Sequence, residues 1–132
     1  MAKILIIDDD SIVVFVQQRI LQKCGVSYEP LAFKNAQEGI KYLRDTTIQE
    51  REYLIFLDIN MPEISGWEFL EILQNLEDTE DIKVIMVTSS IDSCDKKKSI
   101  DYKNVYSFIE KPITVERCNE LRTDPELAQF FQ

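Results

Sequence analysis

Five short apolar runs, each followed by an amphipathic stretch, limit what this chain can fold into. They cover residues 4–7, 28–33, 53–57, 84–87 and 105–109. Their starts lie roughly 20–30 residues apart, the length of one βα unit. The first, third and fourth runs are continuously apolar, as strands covered on both faces require. Strand and helix signals alternate, which predicts a doubly wound α/β fold with a parallel sheet. The chain of 132 residues, 45% of them hydrophobic, is the size of one domain with a real core.

The intervening segments predict helices of unequal clarity. Over 35–44, Ala36, Ile40 and Leu43 share a face and Asn35 is an N-cap. Over 65–76, Phe69, Ile72, Leu73 and Leu76 recur at helical spacing. The stretch 92–101 is polar, carries Lys96, Lys97 and Lys98, and is the weakest helix. The stretch 11–24 is ambivalent, because its Ile-Val-Val-Phe-Val run suits a strand. Its length, Ser11 as cap, an inward face of Val13, Val16, Ile20 and Cys24, and a stop at Gly25 favour a helix. A last helix starts at Thr114, and Pro125 breaks it. A short helical extension capped by Asp124 follows to Phe131.

Composition then excludes chemistries. The sequence has no histidine, so neither a Ser-His-Asp triad nor a His-containing zinc site can form within it. Its 24 acidic and 15 basic side chains leave a net charge of −9, which argues against nucleic acid or anionic membrane as a direct partner. Cys24, Cys94 and Cys118 are odd in number and far apart, so a disulfide framework is not expected. Cys24 and Cys118 read as buried thiols. No segment reaches the ~18–20 apolar residues that span a bilayer, and the expected location is the cytoplasm. With glycine only at positions 25, 39 and 66, no phosphate-binding glycine loop is present.

In parallel α/β sheets, ligands sit at the carboxyl ends of the strands. The first run ends in Asp8-Asp9-Asp10, the third in Asp58, the fourth in Thr88-Ser89-Ser90 and the fifth in Lys111-Pro112. Each group alone reads as a turn or a cap; their conjunction on one rim is the signal. Asp8, Asp9 and Asp58 would repel one another without a cation, and Mg²⁺ is the hard cation that carboxylates and a phosphate share. Lys111 adds a point charge for phosphate oxygens, and Thr88 and Ser89 add hydrogen-bond donors. Such a site suits attack of a carboxylate on phosphorus, giving an aspartyl phosphate.

With these residues in this order, the chain resembles the receiver domains of two-component response regulators over about residues 3 to 122. The resemblance rests on Asp8-Asp9, on Asp58-Ile59-Asn60-Met61-Pro62 with Gly66, on Thr88-Ser89 and on Lys111-Pro112. It implies a flavodoxin-like sheet of order 2-1-3-4-5 with five flanking helices. It makes Asp58 the phosphoacceptor, Asp9 a direct Mg²⁺ ligand and Asp8 its water-mediated partner. Asn60 supplies a backbone carbonyl to the metal. Thr88 and Lys111 hold the phosphoryl oxygens, and Phe108 is the switching aromatic. Ser90 and Asn60 fall at positions that tune dephosphorylation.

Two features depart from the family pattern. Asp10 makes a third consecutive acid, read as capping the next helix. The Asp124-Pro125 break falls near or inside the last helix.

The resemblance further implies a signalling protein rather than a turnover enzyme, catalysing only its own phosphorylation and dephosphorylation. Its expected donor is a phosphohistidine on a sensor kinase or phosphotransfer protein. The sequence leaves no room for an output domain after residue 132, so a stand-alone receiver acting on another protein is expected. The fourth helix, fifth strand and fifth helix would form the switched face. Lys96–Lys98 on it read either as a solvated helix face or as a contact for an acidic partner. Leu127, Phe130 and Phe131 either pack back on the domain or supply a homodimer contact. Two alternatives remain: a receiver-like binding module that is never phosphorylated, and an aspartyl-phosphate phosphatase. The phosphatase is disfavoured by Asn60, which stands where haloacid-dehalogenase-like enzymes need an acid.

Overall fold

The structure, a computed structural model, describes residues 2–46, 52–89 and 91–132. Along the chain run β1 (Lys3–Ile7), α1 (Ser11–Lys23), β2 (Leu31–Phe33), α2 (Ala36–Asp45), β3 (Tyr53–Asp58) and α3 (Gly66–Gln74). There follow β4 (Ile82–Thr88), α4 (Ser93–Ser99), β5 (Val105–Glu110), α5 (Val115–Thr123) and a 3₁₀ turn (Ala128–Phe130). All strands pair in parallel, in the order β2-β1-β3-β4-β5. The doubly wound fold and its strand order are those expected from the sequence.

Alternation along the strands divides the core into two layers. Leu5, Ile7, Ile55, Leu57, Val84 and Met86 face Ala36, Ile40, Phe69 and Leu73 of α2 and α3. Ile4, Ile6, Leu54, Phe56, Ile85 and Val87 face Leu21, Cys118 and Leu121 of α1 and α5. Because β1, β3 and β4 are covered on both faces, they could afford no polar alternation.

The helix starts show why the loops stop where they do. Asn35 Oδ1 accepts from the Glu38 N–H, and Ser65 and Glu68 form a reciprocal capping box at α3. Thr114 caps α5 and Asp92 caps α4. The cap of α1 is Asp10 rather than Ser11: its Oδ1 accepts from the Ile12 and Val13 N–H groups. The third acid is therefore a helix cap.

Three expectations need correction. The buried face of α1 is Gln17 and Leu21, continued by Cys24, while Val16 is exposed and Val13 and Ile20 only half-buried. A helix that is apolar over five consecutive residues has no periodicity from which to choose its inward face. β2 contains only Leu31–Phe33, not the whole run from Tyr28. Pro30 has no N–H to give a ladder, and the Tyr28 hydroxyl instead accepts from the Ile4 N–H at 2.8 Å.

The chain after Pro125 forms a 3₁₀ turn rather than a longer helix. It packs Leu127, Phe130 and Phe131 into the α1/α5 layer, at 0%, 0% and 6% exposure. Those side chains are thus core and are not free to join a second copy. The expected Asp124 cap does not form on this turn: its N-cap is Leu127, with no side-chain hydrogen bond, while Asp124 ends α5 and its Oδ1 accepts from the Glu126 N–H in the bend between. Cys24 and Cys118 are buried thiols, and Cys94 is exposed. No helix among the described residues is long and apolar enough to cross a membrane.

Candidate functional site

The ends of β1, β3, β4 and β5 converge on one edge of the sheet. In-register pairing of β1 with β3 sets Ile7 beside Leu57, so Asp8 and Asp58 follow as neighbours. One carboxylate oxygen from each of Asp8, Asp9 and Asp58 lies within 4.8 Å of the others. Asp8 and Asp58 are buried, at 2% and 4% exposure, whereas Asp9 is open to solvent.

Lys111 reaches this cluster from the end of β5. Its Nζ lies 3.0 Å from Asp8 Oδ2 and 3.3 Å from Asp58 Oδ1. The backbone at Lys111 is tied to β4 by its N–H donating to the Thr88 carbonyl at 2.7 Å. The Lys111-Pro112 peptide is cis. Asp8 Oδ1 accepts from the Asp10 N–H at 2.9 Å, and Asp58 Oδ1 from the Asn60 N–H at 3.3 Å.

Burial disfavours the charged form of Asp58, and the Asp8 carboxylate beside it acts in the same sense. The Lys111 ammonium opposes both, yet the Asp58 pKa is pushed up to about 6. For Lys111, burial acts to lower the pKa, but the two carboxylates outweigh it and hold the ammonium above its ordinary value. At neutral pH the site therefore holds an ionised Asp58 and a firmly protonated lysine.

Gly66 lets the β3–α3 loop close back on Asp58. A Cβ there would stand 2.6 Å from the Asp58 carbonyl oxygen and 2.9 Å from Ile59 Cα. The Gly66 N–H donates to the Ile59 carbonyl at 2.9 Å. Thr88 is buried at the end of β4 and Ser89 is exposed beside it. A cleft of about 290 Å³ joins Asn60, Thr88 and Ser89 to Trp67, Asp92 and Asp95.

Phe108 lies on β5 opposite Met86 and packs half-buried against the α2/α3 layer. A register shift between Val84 and Ile85 inserts Tyr106 as an extra residue of β5. The shift leaves Tyr106 on the α1/α5 side, where its hydroxyl donates to Asp124 Oδ2 at 2.6 Å.

The structure thus brings together Asp8, Asp9, Asp58, Thr88, Ser89 and Lys111, with Asn60 at the rim and Phe108 one turn of the pleat away. Ser90 lies outside the described residues. Two features escaped the sequence reading. One is Gln17, a polar residue four before Leu21 in an apolar helix, which was the available signal. The other is Trp67, whose ring is 5.0 Å from Lys98 Nζ and 5.9 Å from the Tyr102 ring.

Comparison with known proteins places this geometry. DivK, a polar-differentiation response regulator of Brucella anthropi, is 28% identical over 117 residues, covering 89% of each chain. The transcriptional regulatory protein DcuR of Escherichia coli is 33% identical over 129 residues, but the match spans 49% of DcuR. For the response regulator ARR10 of Arabidopsis thaliana the match spans only 20% of that protein. The crystal structure of a response regulator receiver protein from Dyadobacter fermentans superposes with a TM-score of 0.80 at 26% identity, covering 92% of this chain and 95% of that one. The sequence profile of the response regulator receiver domain matches residues 4–121, and the chain belongs to that family.

Proposed function

We propose that the chain is a phosphoacceptor switch in which Asp58 takes a phosphoryl group from the phosphohistidine of a sensor kinase or phosphotransfer protein. The observation that carries this reading is the pairing of a buried, ionised Asp58 with Lys111 at 3.3 Å inside a carboxylate cluster. An ion pair built only for stability would not set one ammonium against two buried carboxylates with a third carboxylate beside them.

Receiver domains bind Mg²⁺ at an acidic pocket, and Asp8, Asp9 and Asp58 form such a pocket here. The residues fit the ion. Asp8 Oδ2 is buried without a well-aligned hydrogen bond, and the donors are hard oxygens. Asp8, Asp9, Asp58 and the Asn60 carbonyl would hold it. Bound there, Mg²⁺ supplies positive charge that offsets the phosphoryl oxygens.

The step itself falls to the protein's own groups. The Asp58 carboxylate attacks phosphorus, a P–O bond forms, and the P–N bond to the donor's protonated imidazole breaks, releasing neutral imidazole. Lys111 turns its charge from the carboxylates to the incoming oxygens. Thr88 and Ser89, at the end of β4, present hydroxyl and backbone donors to the same group. The chain completes one such event on itself and turns over no external substrate.

The readout is a changed protein-binding surface. Phe108 is half-buried on the strand next to Thr88, and α4 buries none of its side chains. Movement of Thr88 toward a phosphoryl group and of Phe108 behind it would reshape the α4/β5/α5 face, where Lys96–Lys98 are exposed to an acidic partner. This cycle belongs to the cytoplasm, where such donors work. Treatment with a small acyl phosphate and Mg²⁺, then borohydride reduction and peptide mapping, tests the reading. Conversion of Asp58 is expected; modification elsewhere, or none, would refute it.

A further inference from the structure

Among the described residues, α4 buries none of its own side chains, whereas α1, α2, α3 and α5 each bury part of one face. Ile100, which ends it, is 81% exposed. A helix this short and polar gains little from its own propensity or from burial, so particular contacts have to set its position. The chain re-enters the core only after it, at the buried Tyr102 and Asn104.

Trp67 supplies such contacts. Its ring lies 5.0 Å from Lys98 Nζ and 5.9 Å from the Tyr102 ring. The Tyr102 hydroxyl donates to Glu71 Oε1 at 2.8 Å, a second tie from α3. α3 itself is fixed, because Phe69, Leu70 and Leu73 are buried on its inner face. Trp67 also lines the cleft that contains Asn60, Thr88 and Ser89. One ring therefore stands between the rim of the phosphoacceptor site and the helix that follows β4.

We propose that Trp67 is a positioning residue that latches α4: by holding the Lys98 ammonium and the Tyr102 ring, it keeps the helix in its resting place and opposes the phosphorylated state. The proposal rests on the phosphoacceptor reading of Asp58 and adds what restrains that switch. A phosphoryl group on Asp58 draws Thr88 and Ser89 toward it, and α4 follows them within one short loop. α3 cannot follow, because its inner face is locked in the core. The contact between Lys98 and Trp67 is therefore the one that gives way. A cation over a partly exposed ring is a weak contact, so the latch sets a threshold rather than a block. A contact made in one state only shifts the equilibrium by its own free energy.

The test uses Lys98→Met and Trp67→Leu. Lys98→Arg keeps a cation for the ring, and Lys97→Met removes a neighbouring charge as a control. Lys98 is exposed, so its variants leave the core intact. Amide hydrogen exchange of each full chain is first measured without Mg²⁺. Residues 96–102 should exchange faster in Lys98→Met and Trp67→Leu, and at the wild-type rate in Lys98→Arg and Lys97→Met. Beryllofluoride with Mg²⁺, standing in for the phosphoryl group, is then titrated into each. Lys98→Met should bind it about two- to fivefold more tightly than the wild type, and Lys98→Arg and Lys97→Met as the wild type does. A merely structural role would not raise this affinity. Unchanged exchange in Lys98→Met, an affinity no higher than that of the wild type, or the same gain in Lys97→Met would overturn the proposal. No binding of beryllofluoride to the wild type would refute the reading of Asp58 and the coupling with it, while the exchange rates would still decide whether Trp67 holds α4.

Discussion

Lys111 Nζ stands 3.3 Å from Asp58 Oδ1 while also facing Asp8 Oδ2 at 3.0 Å, so one ammonium holds together two buried carboxylates. Removing it leaves like charges facing each other in a poorly solvated site. Lys111→Met should destabilise the metal-free protein by about 1–3 kcal/mol at neutral pH. The loss should shrink near pH 5, where Asp58 takes up a proton. Urea unfolding at the two pH values in the presence of a chelator checks this.

The raised Asp58 pKa fixes the sign of a second effect. Its folded value of about 6 lies above the ordinary carboxylate value of 3.8, so between them the native state binds more protons than the unfolded one. Stability of the metal-free protein must therefore fall as pH rises through that window. Asp58→Asn removes the buried charge and should be more stable than the wild type by about 1–3 kcal/mol at pH 7.5. The difference should close near pH 4. Thermal unfolding of both proteins across this range measures it.

Gly66 is required by close approach rather than by backbone angle. Gly66→Ala sets a Cβ against backbone atoms of Asp58 and Ile59 that cannot rotate away. A cost of about 1–3 kcal/mol is expected. Mg²⁺ affinity should weaken as well, because the displaced backbone carries Asp58. Denaturation and a Mg²⁺ titration read the two consequences.

The C-terminal turn belongs to the core. Phe130 is fully buried in the α1/α5 layer, and Phe130→Ala should cost about 3–5 kcal/mol. Sedimentation should show the same oligomeric state as the wild type. A change of state without loss of stability would return this segment to an interface role.

Much of this site was legible because β1, β3 and β4 each carry a continuous apolar run that stops at a polar residue. Asp8, Asp58 and Thr88 mark those stops, Lys111 directly follows β5, and parallel pairing carries all four to one edge. The phase of α1 was not legible. Its cap shifts one residue to Asp10, and its apolar run from Ile12 to Val16 covers all sides, so Val16 emerges and Gln17 goes under. The bulge at Tyr106 was hidden for a related reason. A strand one residue too long reads like any other apolar run, and only pairing with β4 reveals the extra residue. The charge balance around Lys111 depends on distances, which residue order does not contain.

The most direct measurement is intact mass spectrometry after incubation with a small acyl phosphate, with Mg²⁺ and with a chelator, on the wild type and on Asp58→Ala. One added phosphoryl group on the wild type, only with Mg²⁺, and none on Asp58→Ala is the predicted result. No addition to the wild type, or equal addition to Asp58→Ala, would contradict the assignment of Asp58 as the phosphoacceptor.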